Sequence, residues 1–257
     1  MTSGTGNGRE AQAGAGAEID ACMTNLLGGL IAWFGLGALI FTFYQAFTWP
    51  DVKSLRTENP ETTAFIERHL EREKPAHRPS RVAWRWVPYD RISPHMKRAV
   101  LVAEDNGFFS HNGFAVEEMK WAVRDAVTRD RALRGASTIT QQLAKNLWLA
   151  PSRSALRKGK EVILTRQLER NLPKRRILEL YLNVVEFGRG IYGAEAAAQH
   201  YFDKHAIELS EEEAAQLAAA LPRPKTWNPE SDSENYRRYV ARIKERMEQA
   251  TFLQAQI

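Results

Sequence analysis

Two acidic residues open the stretch where this sequence concentrates its reactive side chains. Glu104 and Asp105 follow the apolar run Val100-Leu101-Val102-Ala103 and precede Phe108, Phe109 and His111. At a helix C-terminus the backbone dipole disfavours negative charge, and apolar neighbours disfavour it further. A carboxylate there is drawn toward the proton affinity of a general base. An ordinary acid pair closing a helix through salt bridges would use the same residues, and His111 alone fits a structural role equally. Next comes Gly135-Ala136-Ser137-Thr138-Ile139-Thr140-Gln141-Gln142. Thr138-x-x-Gln141 has capping-box spacing and marks a helix start; hydroxyl-bearing helix starts also receive anions. Third are Arg153, Arg157, Lys158 and Glu161. In a helix, Arg153 and Arg157, and likewise Arg157 and Glu161, lie at i and i+4 on one face, either as solvated ion pairs or as an anion site. Residues 153–176 hold nine basic and two acidic side chains, an excess of seven that equals the whole excess of residues 51–257. Such density suits a phosphate or diphosphate.

These side chains need helices to hold them. Residues 51–257 read as mainly α. The pattern predicts helices over 97–104, 115–128, 156–172, 175–185, 192–202 and 210–221. A last helix carries the apolar stripe Tyr236, Tyr239, Val240, Ile243 and Met247. Only 81–87 alternates like a short strand. No internal repeat, P-loop or GxGxxG occurs, and alternating βαβ units are absent, which argues against nucleotide-binding α/β folds.

The chain has 257 residues, a formal charge of +5 and 44% hydrophobic residues. This excludes a disordered, collagenous or polytopic membrane protein. Cys22 is the only cysteine, so an intramolecular disulfide and a Cys-based zinc site are excluded. The organisation expected is a flexible tail over 1–25, a transmembrane signal anchor over 26–48 and one domain over 49–257. Residues 26–47 carry no charge and, as a helix, would span about 33 Å. One base, Arg9, precedes this run, while Lys53, Arg56 and Arg68 follow it; the positive-inside bias thus weakly favours a cytoplasmic domain.

Taken together, the segments resemble the signature blocks of the family-51 peptidoglycan glycosyltransferases. The blocks are Glu104-Asp105-x-x-Phe108-x-x-His111-x-Gly113, then 135–142, then Arg157-Lys158-x-x-Glu161, then Arg176-Ile177-Leu178-Glu179-Leu180-Tyr181-Leu182-Asn183. Gly190-x-x-Gly193-x-Glu195-Ala196-Ala197-Ala198-Gln199-x-Tyr201-Phe202 adds a fifth. Order and spacing hold over a motif core of 86–229, and Ala136 replaces the more usual second glycine. No Ser-x-x-Lys is present, and Lys225-Thr226-Trp227 is not Lys-Thr-Gly, so the chain resembles the monofunctional biosynthetic form without transpeptidase activity.

The resemblance implies a lysozyme-like helical glycosyltransferase domain with a small membrane-associated lobe, preceded by one transmembrane helix. It implies polymerisation of lipid II into β-1,4 glycan strands, with inversion and release of undecaprenyl diphosphate, in cell wall synthesis. Glu104 would be the catalytic base. Lys145, Arg153, Arg157 and Lys158 would stabilise the diphosphate, and Ser137, Thr138, Gln141 and Gln142 would position the donor. Glu161 matches a second catalytic carboxylate, whose task is to orient the cations or to help hold a divalent ion such as Mg²⁺. No cofactor is required by the sequence, and no metal-ligand cluster is evident. The expected partners are lipid II, the growing strand, the membrane and other cell-wall synthases, with no nucleic acid. Because lipid II is polymerised outside the bacterial cytoplasmic (inner) membrane, the resemblance places a single-pass protein there with its domain in the periplasm, against the charge bias. Trp121, Phe108, Phe109 and Phe114 are candidates for dipping into the interface, and Lys174–Arg176 for meeting its anionic surface. The competing activity is a membrane-anchored lysozyme-like glycan hydrolase; a sugar leaving group needs an acid, whereas a diphosphate needs cations.

Overall fold

The computed structural model describes residues 29, 32–37, 39–40, 42–45, 47–73, 82–115, 137–149, 152 and 154–257. The chain divides into two units, Met1–Pro50 and Asp51–Ile257. In the first, the described residues from 29 to 47 are helical. Trp33, Phe34, Leu39, Ile40, Phe43, Tyr44 and Phe47 are all exposed there. Among the described residues no helix is long and apolar enough to cross a membrane. The span expected to do so, 26–48, lies partly outside them, and the expected tail lies wholly outside.

The second unit is mainly helical. In chain order the described elements are α1 (Ala64–Glu73), β1 (Ala83–Trp84), α2 (Pro94–Glu104), α3 (Ile139–Trp148), α4 (Ala155–Asn171), α5 (Lys174–Val184), β2 (Glu186–Gly188), β3 (Ile191–Tyr192), α6 (Ala194–Phe202), α7 (Glu211–Ala220) and α8 (Glu234–Gln249). Local chemistry sets many of the starts. Ser93 caps α2 ahead of Pro94, whose missing N–H costs nothing in the first turn. Thr138 with Gln141 and Ser210 with Glu213 form full capping boxes on α3 and α7, and Ser154 caps α4. The helix expected over 115–128, with Trp121, falls outside the described residues from 116 onward.

One boundary is corrected. Tyr192 is in β3, and the helix expected from it begins at Ala194. Between them Gly193 has φ +82°, and a Cβ there would lie 2.6 Å from the Asn183 carbonyl oxygen, so only glycine fits. The sheet has the order β1-β3-β2, with β1 parallel and β2 antiparallel to β3. Strands of two or three residues are too short to show alternation in sequence. Asn183 ties this sheet to α5: its side chain exchanges two 2.9 Å hydrogen bonds with the Val87 backbone, and its carbonyl accepts the Trp84 indole N–H at 2.7 Å.

The core joins two helix groups. α2 packs on α7 and α8, while α3 packs on α4 and α5. Ala214, Ala215, Ala218 and Ala219 are fully buried on α7, and their small side chains allow close approach of α2. Phe108 is fully buried as well, with the Lys174 ammonium 4.4 Å above its ring, so it belongs to the core and not to an interfacial lobe. Of Lys174–Arg176, Arg175 alone is exposed. Lys174 pairs with Glu169 at 2.8 Å and Arg175 with Asp90. Arg176 donates to the Leu55 and Glu58 carbonyls, to Asn59 and to Glu179.

Candidate active site

Glu104 ends α2 where the two helix groups meet, and it lines a cavity of about 970 Å³. The Gln142 amide nitrogen on α3 donates to Glu104 Oε2 at 2.6 Å. An amide can be placed either way round; here the Tyr181 hydroxyl, fully buried on α5, donates to Gln142 Oε1 at 3.0 Å and fixes it. Burial raises the Glu104 carboxyl above the usual range, while the Gln142 donation and the nearby Lys145 ammonium pull it back. The result is a half-buried carboxylate that is a stronger base than an exposed one and is already aimed by a neutral donor.

The adjacent acid does different work. Asp105 is buried; its Oδ2 accepts the Ile139 N–H at 3.0 Å, at the first turn of α3. Its Oδ1 lies 2.9 Å from His111 Nε2. His111 Nδ1 accepts the Gly113 N–H at 3.1 Å, so the ring proton sits on Nε2 and points at Asp105. The first block thus splits: Glu104 faces the cavity, and Asp105 with His111 anchors the helix that carries Gln142.

The second block splits too. Ser137 and Gln142 line the cavity. Thr138 and Gln141, expected to position substrate, are buried and form the capping box; the Thr138 hydroxyl also donates to the Gly113 carbonyl at 2.8 Å. Neither is among the residues that line the cavity.

Lys145, one turn beyond Gln142, lines the same cavity. Burial lowers its ammonium from the usual value; Glu161 and Glu104 favour the charge, and Arg157 and Lys158 oppose it. The cationic cluster therefore adjoins the base. Glu161 is buried on α4, pairing with Arg157 at 2.6 Å and also with Lys158. Arg157 Nε is buried with no acceptor among the described residues, an orphan donor that an anion would satisfy. Arg153 lies outside the described residues. Both Glu161 oxygens are engaged by cations, and among the described residues no group of three or more His, Cys, Asp or Glu could hold a metal ion. In this arrangement Glu161 holds Arg157 and Lys158 side by side.

The C-terminal helix supplies a wall the sequence did not reveal. Asn235, Arg238, Tyr239 and Arg242 on α8, with Arg223 and Trp227 before it, complete the cavity. The 235, 238/239, 242 spacing was readable as one helical face beside the apolar stripe. Nothing local says that this face meets Glu104.

A half-buried carboxylate beside a cluster of cations, on a helical scaffold, has the parts that transfer from a donor with an anionic leaving group requires. The sequence matches the transglycosylase family over residues 72–248, and the chain belongs to that family. It is 45% identical over 219 residues to the biosynthetic peptidoglycan transglycosylase of Thiobacillus denitrificans, covering 84% of this chain and 94% of that one. The protein of the same name from Aromatoleum aromaticum is 46% identical over 213 residues, covering 82% and 92%. That from Azoarcus sp. is 44% identical over 199 residues, covering 76% and 86%.

Proposed function

We propose that this chain is a monofunctional peptidoglycan glycosyltransferase that polymerises lipid II in cell wall synthesis. The observation that carries the reading is Glu104, held by Gln142 in a cavity that it shares with Lys145. The acceptor's 4-hydroxyl attacks C1 of the lipid-linked donor from the face opposite the diphosphate. A new C–O bond forms as the old one breaks, inverting the α-diphosphate to a β-1,4 linkage, and Glu104 takes the hydroxyl proton. The leaving diphosphate is a stable anion that needs neighbouring positive charge more than it needs a proton. Lys145, Arg157 and Lys158 supply that charge, with Arg153 as the further candidate, and Glu161 aims two of them. Ser137 and Gln142 contact the donor, and Thr138 and Gln141 act through the helix they cap.

The substrate's lipid gives a reason for an anchor. A row of exposed aromatic and aliphatic side chains from Trp33 to Phe47 is unfavourable in water and suits hydrocarbon. A tether also raises the effective concentration of a membrane-bound substrate. In this reading the anchor over 26–48 holds a lysozyme-like helical domain on the periplasmic side of the cytoplasmic membrane. Purified protein incubated with lipid II is expected to yield long glycan strands and free undecaprenyl diphosphate. Shortening of preformed strands with no polymerisation would replace this reading by the hydrolase.

A further inference from the structure

A second cavity, of about 830 Å³, adjoins the first; Gln142, Lys145, Leu221 and Arg223 line both. Its outer wall is α1, through Phe65, Arg68, His69 and Arg72; Glu186, Arg189 and Lys225 also line it. Nothing in the glycosyl transfer described above uses these residues.

The lining narrows the ligand. Arg68, Arg72, Lys145, Arg223 and Lys225 offer positive charge, yet Glu186 lies in the same wall, half-buried. Burial raises the Glu186 carboxyl, and the charges of Lys225, His69 and Arg72 draw it back. Arg189 is already paired with Glu73 at 2.7 Å. A diphosphate would leave Glu186 without a donor, and a neutral glycan could hydrogen-bond these groups but would pair none of their charges. A ligand carrying both carboxylates and N–H or ammonium donors matches the whole set. Phe65, Val185, Tyr192 and Pro224 add apolar surface for small aliphatic side chains. A peptide has all three properties. The cavity also begins at Gln142, the residue that touches the base, and so lies within reach of a substituent on the reacting disaccharide.

We propose that this cavity binds the stem peptide of the substrate, with its carboxylates on Arg68, Arg72 and Lys225 and its nitrogen donors at Glu186. The inference rests on the lipid II reading above.

The test compares two probes in detergent micelles: lipid II with its pentapeptide, and the same lipid-linked disaccharide bearing only the lactyl group. In the double variant Arg72→Ala/Lys225→Ala, both at exposed positions, the Kd for the pentapeptide form is expected to weaken about tenfold relative to the peptide-free form. Equal weakening for both probes assigns the cavity to diphosphate or glycan and overturns the proposal, as does no change for either. Polymerisation of lipid II by the wild-type protein is the separate control: its failure sinks the enzyme reading, whereas an unchanged Kd ratio in an active enzyme sinks only the peptide site.

Discussion

Gln142 and Glu104 stand 38 residues apart in sequence, and their side chains meet at 2.6 Å, with the amide nitrogen donating to the carboxylate. This contact joins the end of α2 to the first turn of α3, and it couples the geometry of the base to its proton affinity. Tyr181 behind Gln142 leaves the amide only one way round.

Replacing the base should separate chemistry from folding. Glu104→Gln is expected to lower kcat by roughly 10²–10⁴-fold, the cost of removing a general base alone. The folded-state affinity of Glu104 for its proton is raised, chiefly by burial. Its stabilising contribution is thus present at low pH and is lost as pH rises through the folded pKa. The amide carries no charge, so its melting temperature at pH 8 should equal or exceed that of the wild type, with the difference closing toward pH 4. Thermal denaturation at the two pH values checks this; a large drop at pH 8 would contradict it.

Gln142→Leu removes a donor that favours the ionised base. The acid limb of kcat/KM should therefore move to higher pH. Tyr181→Phe should move it the same way by less, because the amide survives but is no longer fixed. A pH–rate profile that stays in place in both variants would show that the contact does not govern the base.

Glu161→Gln should act through the cations. Glu161 is buried against Arg157 and Lys158, and breaking a buried pair on one side leaves charge uncompensated. A stability loss of about 2–3 kcal/mol is expected, together with a higher KM for lipid II as Arg157 and Lys158 lose their aim. Arg157→Ala should share the KM effect. Denaturant unfolding and steady-state kinetics on both variants measure the two parts.

Asp105→Asn is isosteric, yet it should destabilise. Asp105 receives two donors, Ile139 N–H and His111 Nε2–H, and the histidine cannot exchange its tautomer while Nδ1 accepts from Gly113. Either orientation of the new amide sets an NH₂ against one donor. The cost expected is about 2 kcal/mol, with reduced kcat from a loosened α3, read by urea titration and the polymerisation assay.

The sequence by itself determined whatever is local. Capping boxes, prolines and Gly193 set helix starts because the atoms involved lie within a few residues of each other. The family motifs and the basic excess over 153–176 were countable for the same reason. Those charges divide between a pairing within α4, which helical spacing already allows, and contacts that depend on packing. Arg157 and Lys158 gather on Glu161, while Lys174, Arg175 and Arg176 are spent on Glu169, Asp90 and the Leu55–Asn59 backbone and side chains. Packing between distant elements brings Gln142 to Glu104 and makes α8 and α1 the walls of two adjoining cavities. A helical period fixes which residues share a face, but what that face meets depends on packing between elements many tens of residues apart.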